Sequence, residues 1–281
     1  MNKRIMVFGS NGQIGNGFRK AFAKNPNYNT VYFIDSNSLN YFSAQDVAIA
    51  FNNIKPDVVI NCVAFTDVDG AEKEENRQEC VYLNTQFPYM LAALCRKAGA
   101  EFIHFSTDYV YNGAPTSNAF TEKDVCEPLN YYGQTKLRGD KLVLCFDKIK
   151  IFRVQCVYSP HNKNFYKTIS RLALEKESLD VVNDQITCPT HAYWIADTVC
   201  QTLDIHQYGI FNLKPDGNCS FADFAELIVD GKCVINRIAS SQYPSKTKRP
   251  KNSTLSNDKF LEFFSYYGLL DWKQVYKKYS E

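Results

Sequence analysis

The chain is 281 residues long, 45% apolar, and carries a formal net charge of +2. That length buries a large core in one big domain or two, and the apolar content excludes a disordered chain. The near-neutral balance argues against nucleic acid as the main partner, which calls for a strongly basic face, and no apolar run approaches the roughly 18 residues of a membrane span.

From the N-terminus, Lys3 and Arg4 lead into "RIMVF" (4–8), an apolar run that ends at Gly9, too short for a signal peptide and of the kind a buried strand shows. Ile14, Phe18 and Phe22 follow at intervals of four, a helical stripe. "TVYFID" (30–35) is a second strand, and "SAQDVAIAFNNI" (43–54) a helix capped by Ser43. "DVVIN" (57–61) is a third strand. One long helical stretch then runs from Ala71 to Lys97, ahead of a fourth strand, "EFIHFS" (101–106). Asn130, with Pro128 just outside, caps a helix that leads to a fifth strand, "KIKIFRV" (148–154). This alternation predicts β-α-β units and an α/β fold with a Rossmann-like, doubly wound parallel sheet. The second half is less regular. Residues 165–177, 193–205 and 221–229 read as helices, "GIFNL" (209–213) as a strand, and 240–256 as a polar, basic tail. It predicts a smaller domain packed over one edge of the sheet. The ten cysteines are scattered without a C-x-x-C pair, and the four histidines lie far apart. Neither pattern suits zinc, so no metal is expected, and the cysteines read as reduced, mostly buried thiols of a cytoplasmic protein.

"FGSNGQIG" (8–15) joins the first strand to the first helix, with glycines at 9, 12 and 15. Gly9 suits a tight turn, Gly12 a close approach to a pyrophosphate, and Gly15 close helix packing, while the helix N-terminus offers N–H groups to phosphate. Asp35 ends the second strand, where a carboxylate accepts from adenosine ribose hydroxyls. Together these predict dinucleotide binding. A carboxylate repels a 2′-phosphate, and no Lys or Arg lies between Lys24 and Lys55, which favours NAD over NADP, although Ser36 and Ser38 are placed to receive a phosphate. Thr107 lies at the carboxyl end of the fourth strand, the edge where ligands of such sheets bind. In "NYYGQTK" (130–136), Tyr132 has Lys136 four residues on, whereas Tyr131 has Thr135. With a nicotinamide beside them, Tyr132 is the expected proton donor to a reduced carbonyl, and Lys136 is expected to lower its pKa and hold the nicotinamide ribose.

Over nearly its whole length the chain resembles the dTDP-4-dehydrorhamnose reductase family of the extended short-chain dehydrogenases/reductases. The motifs are "FGSNGQIG", "PDVVINCVAFTDVDGAE" (56–72), "FSTDYVYNG" (105–113), "PLNYYGQTKLRGDK" (128–141), "VVNDQITCPT" (181–190) and "RPKNSTL" (249–255). The resemblance implies reduction, with NADH or NADPH, of the C4 ketone of a nucleotide-linked 6-deoxy sugar. It implies a catalytic set of Thr107, Tyr132 and Lys136. The cofactor would be lined by Gly9, Asn11, Gly12, Gln13, Ile14, Gly15, Asp35, Phe42, Ala64, Phe65, Thr66 and Phe105, and by the Tyr132–Lys136 pair. The sugar nucleotide would meet Thr66, Val68, Thr107, Asp108, Tyr109, Tyr132 and Cys156. Arg249, from the basic run Lys246, Lys248, Arg249 and Lys251, would lie near the diphosphate. The expected division is a dinucleotide domain of 1–154 and 187–207 and a sugar-nucleotide domain of 155–186 and 208–281. Three positions depart from the family: Cys156 stands where a Trp usually packs on the sugar, Tyr41 where an Asp near the adenine is common, and Gly17 where some relatives carry an acid in a metal-bridged dimer. No metal-dependent dimer is therefore expected, and a homodimer of another kind stays open. So do a different nucleotide-sugar ketoreductase and a non-catalytic subunit like the β subunit of methionine adenosyltransferase.

Overall fold

A computed structural model describes residues 3–25, 28, 30–114, 119–245, 247–264 and 269–280. The first half runs β1 (Arg4–Phe8), α1 (Gln13–Lys24), β2 (Thr30–Ile34), α2 (Ala44–Ile54), β3 (Val58–Asn61), α3 (Glu74–Val81), α4 (Phe87–Ala98), β4 (Glu101–Thr107), α5 (Tyr131–Val143) and β5 (Ile149–Val154). The second runs β6 (Val157–Tyr158), α6 (Phe165–Glu175), β7 (Ser178–Val182), β8 (Ile186–Thr187), β9 (Thr190–His191), α7 (Ala192–Gln201), β10 (Gly209–Asn212), β11 (Cys219–Ser220), α8 (Phe221–Val229), β12 (Val234–Ile238), α9 (Asp258–Phe264) and α10 (Trp272–Tyr279).

Six strands form one parallel sheet in the order β10-β5-β4-β3-β1-β2. Successive side chains of a strand point to opposite faces, and both faces here are covered. Ile5 and Val7 join Phe18 and Phe22 of α1, Trp194 and Val199 of α7, Phe260 of α9 and Val275 of α10. Met6 and Phe8 join Val47 and Phe51 of α2, Leu91 of α4 and Val143 of α5. Each such buried side chain is worth roughly 1.5–3 kcal/mol, so the alternation in β1 alone ties two helical layers together. Gly17 lets α1 lie directly on α7: a Cβ there would stand 2.5 Å from the Ala192 carbonyl oxygen. The acid that some relatives carry would not fit this contact.

Over the carboxyl ends of the strands sits a second lobe. Its β7 and β12 pair in parallel, and α6 and α8 pack on them through Ile169, Leu179, Ala222 and Val229. Its expected resumption at 208 is corrected. β10 extends the central sheet beside β5, covering an edge that would otherwise present unpaired backbone groups, and α9 and α10 return to the sheet's core. The polar tail enters the lobe, with Leu255 buried against Phe120.

The expected single helix from Ala71 to Lys97 is also corrected. It is a short 3₁₀ turn (Gly70–Glu72), then α3, a π-helical turn (Tyr82–Gln86) and α4. The wide turn carries buried Asn84 out of helical register and toward the sheet. Its amide accepts from Phe65 N at 2.9 Å and donates to Phe65 O at 3.1 Å and to Thr135 Oγ1 at 3.1 Å. π-turns of this kind are frequent at functional sites.

Beneath α5, Arg153 of β5 lies 3.6 Å from Asp140, and both side chains are almost wholly buried. Ser106 Oγ donates to Asp140 at 2.7 Å, and Arg153 donates to the Tyr111 hydroxyl at 2.6 Å. Removing one member of such a pair strands a buried charge, so Asp140→Ala is expected to cost about 3–5 kcal/mol of stability, read from the urea midpoint. A loss of well under 1 kcal/mol would mean that Arg153 is satisfied without it.

Candidate active site

A cleft of about 1030 Å³ opens between the carboxyl ends of the strands and the second lobe. On one side, the turn after β1 delivers α1 end-on. Gly15 makes this tight: a Cβ there would come within 2.2 Å of the Gly9 carbonyl oxygen. Gly12 is the N-cap and supplies no side-chain cap, which leaves first-turn amides for another acceptor. That uncapped end facing a cleft fits a dinucleotide's phosphates. Two struts fix the turn. The buried Tyr41 accepts from Gly9 N at 3.0 Å and donates to Ile34 O at 2.9 Å. Gln13 Oε1 accepts from Ser159 Oγ at 3.0 Å and Asn164 Nδ2 at 2.8 Å, tying the helix start to the second lobe.

Asn11 Nδ2 donates to Asp35 at 2.9 Å. Against the partial burial that would raise it, hydrogen bonds from Asn37, Ser38 and Asn11 hold Asp35 below the usual carboxylate range. Asp35 does not stand alone, which corrects the charge argument made from residues 24–55. Arg19 of α1 lies over the Phe33 ring at 4.6 Å, donates to Ser10 Oγ at 2.7 Å and comes within 4.0 Å of the Asp35 carboxylate. A long helical side chain points back toward its own N-terminus, so a residue preceding the second strand supplies the charge opposite it. Phe42 is exposed and stacks on Tyr82 at 4.8 Å. Phe65 is gripped by its backbone and lies outside the cleft lining, whereas Ala64, Thr66 and Val68 line it.

On the opposite wall, the Asn130 side chain accepts from Gly133 N at 2.8 Å, the expected cap, and donates to Lys248 O at 3.0 Å. This aims Tyr132 and Lys136 into the cleft. Tyr131 turns away under the Arg77 guanidinium, 5.2 Å above its ring. Thr107 at the end of β4 accepts from Tyr109 N, donates to Asp108 at 3.1 Å, and meets the Tyr132 hydroxyl. Burial pushes the Tyr132 hydroxyl's pKa upward, with Thr107 working the other way. The expected lowering by Lys136 is not found: the lysine amine turns inward instead, donating to Phe105 O at 2.6 Å and lying 3.2 Å from His104 Nε2. Burial brings that amine down to about 8, with Asp140 opposing. Burial raises Asp108 to about 7, with hydrogen bonds from Ser253 and Thr107 working the other way.

The far end of the cleft belongs to the second lobe. Cys156 lines it with φ 42, and Phe165 lines it from α6 while packing on Phe221 at 5.0 Å. Tyr158 is fully buried in the cluster behind. Arg249 lines the cleft and bridges it, donating to Asp69 at 2.8 Å and Ser245 Oγ at 3.2 Å. Lys246 lies outside the described residues. Among the described residues no group of three His, Cys, Asp or Glu is placed to hold a metal, and no helix is long and apolar enough to cross a membrane.

Residues 3–280 match the family model described as RmlD substrate binding domain. A dTDP-4-dehydrorhamnose reductase of Escherichia coli (strain K12) is 34% identical over 293 residues, covering 98% of this chain and 96% of that protein. The solved dTDP-4-dehydrorhamnose reductase of Clostridium acetobutylicum is 34% identical with a TM-score of 0.91, over 98% of each chain. That of Bacillus anthracis, solved in complex with NADP, is 27% identical with a TM-score of 0.92, over 99% of each. A Rossmann-like reductase fold, a cleft fitted to a dinucleotide and full-length similarity to these proteins converge: the chain belongs to the dTDP-4-dehydrorhamnose reductase family.

Proposed function

We propose that this protein uses NADH or NADPH to reduce the C4 ketone of dTDP-4-dehydro-L-rhamnose to dTDP-L-rhamnose. The observation that carries this is the placing of Thr107, Tyr132 and Lys136 together in a cleft whose opposite wall is the uncapped start of α1. The names of the relatives supply the sugar, and the NADP held by the Bacillus anthracis structure supports the cofactor class.

A reduced nicotinamide supplies the hydride to the carbonyl carbon. Thr107 turns its one hydroxyl hydrogen from Asp108 to the ketone oxygen, and Tyr132 gives that oxygen its proton as it becomes a hydroxyl. Burial suits this direction of reaction, because it keeps the Tyr132 proton in place until an alkoxide asks for it. Asp108, near neutrality by its own burial, is placed to bond a sugar hydroxyl. Lys136 supplies positive charge as the Tyr132 phenolate forms. Arg249 exchanges Asp69 for the diphosphate. The wall that elsewhere holds a Trp is lined here by Cys156 and by Phe165, whose ring offers the sugar an apolar face.

The test is oxidation of NADH and NADPH by the purified protein with dTDP-4-dehydro-L-rhamnose. Turnover supports the reading; cofactor binding without turnover of this or related keto-sugars would point to a non-catalytic subunit. Tyr132→Phe is expected to lower kcat about 10²–10⁴-fold while cofactor binding persists. Tyr131→Phe, on the Arg77 side, is expected to stay near wild type; equal losses in the two would remove Tyr132 from its role.

Arg19 and Asp35 together predict use of both cofactors. Loss of one charge-assisted hydrogen bond amounts to about tenfold or more, so Arg19→Ala is expected to raise KM for NADPH by that factor with NADH little changed. Asp35→Ala is expected to do the reverse. Identical effects of either substitution on the two cofactors would show that neither side chain reaches the ribose.

A further inference from the structure

His104 is fully buried in the middle of β4, directly opposite Asn61 of β3. Asn61 lines the floor of the cleft, and His104 lies beneath it and runs into Lys136. Asn61 Nδ2 is 3.2 Å from His104 Nδ1, and His104 Nε2 is 3.2 Å from Lys136 Nζ. Neither Asn61 nor His104 has a role in the reaction described so far.

The hydrogens of this chain can be counted. Val63 N–H donates to Asn61 Oδ1 at 3.0 Å, a buried bond that fixes which way the amide faces. Asn61 therefore turns its NH₂ toward His104, and Nδ1 must accept. His104 is neutral, because its burial and then the Lys136 charge hold it well below the usual imidazole range. A neutral imidazole has one N–H, which then sits on Nε2 and points at Lys136. The lysine amine, already donating to Phe105 O, is met by a donor. That arrangement is satisfied when Lys136 is an amine with a free lone pair, and opposed when it is an ammonium.

We propose that Asn61 and His104 are positioning residues that seat Lys136 and govern the balance between its ammonium and amine forms. The direction is opposite to that of an acceptor beside a lysine: the pair draws the balance toward the amine. The other groups facing Lys136 are Asp140 on α5 itself, which has Arg153 of β5 against it, and Cys80 of α3. Asp140 favours the ammonium, so His104 and Asp140 act against each other across one side chain.

The kinetic arm rests on the reductase reading above, in which the ammonium supports Tyr132 and kcat/KM falls as pH rises through the Lys136 equilibrium. His104→Leu removes the donor, and His104→Gln can turn an acceptor to the ammonium. In each, the alkaline limb of kcat/KM is expected to move up by about one pH unit or more. A purely structural role would lower stability and leave the limb where it is, and an unmoved limb in a folded variant overturns the proposal. The second arm needs neither substrate nor variant. In wild-type protein labelled with ¹⁵N-histidine, the His104 ring is expected to carry its proton on Nε2 and not Nδ1 throughout the active pH range. A proton on Nδ1 overturns the proposal even where both variants fail to fold. Absence of turnover with an Nε2 proton would instead count against the reductase reading alone.

Discussion

One buried amide, that of Asn84, sets the distance between the two halves of the active cleft. It holds the backbone of Phe65 at both N–H and carbonyl, and the same NH₂ group reaches Thr135 on α5. Phe65 belongs to the loop after β3, whose Ala64 and Thr66 line the cleft; Thr135 lies next to Lys136 and one turn from Tyr132. Thr85 adds a bond from the same turn to the Thr135 carbonyl at 2.8 Å. Neither side can shift without leaving a polar group unpaired in the interior, which is the costly outcome. The π-turn is what allows this, because a regular helix through Tyr82–Gln86 would carry Asn84 past the loop.

Around that point the site works by burial more than by attraction between charges. Tyr132 keeps its proton, Asp108 sits near neutrality, and Lys136 is drawn down, each chiefly because its ionised form is poorly solvated. Asp140 and Arg153 lie a layer deeper and bind to each other and to Ser106 and Tyr111. Groups whose ionised forms burial disfavours line the cleft, and the Asp140–Arg153 pair holds the floor.

Much of this was legible in the sequence, for local reasons. Strands buried on both faces give continuous apolar runs, so β1, β3, β4 and β5 could be read within a residue or two. Ser43 and Asn130 announced their caps, and the helical period separated Tyr132 from Tyr131. What escaped depends on contacts remote in the chain. The π-turn inserts a residue, and its one local mark is Pro88, just past its end, which has no N–H to donate back to Asn84. Arg19 reaches across a loop to Asp35 from a helix whose periodicity gave no hint of it. Tyr41 stood out as a departure near the adenine, while its part, a hydroxyl strut under Gly9, rests on a fold-back of 32 residues. His104 looked like one of several scattered histidines until β3 and β4 set it beside Asn61. The two-residue strands β6, β8, β9 and β11 are too short to carry a period, and β10 looked like the second lobe because nothing local says which sheet an edge strand joins.

Arg249 is already engaged before any ligand arrives, bound to Asp69 across the mouth of the cleft. An anion that takes the same edge of this arginine displaces a carboxylate, so binding there exchanges one ion pair for another and does not create one afresh. Dissolved salt weakens the resting pair as well as the new one. The two effects oppose each other, and affinity at this site should therefore depend less on ionic strength than the charges of arginine and diphosphate alone would dictate. The same exchange leaves Asp69 facing solvent without its partner, a negative group at the entrance that disfavours entry of a second anion while the first is bound.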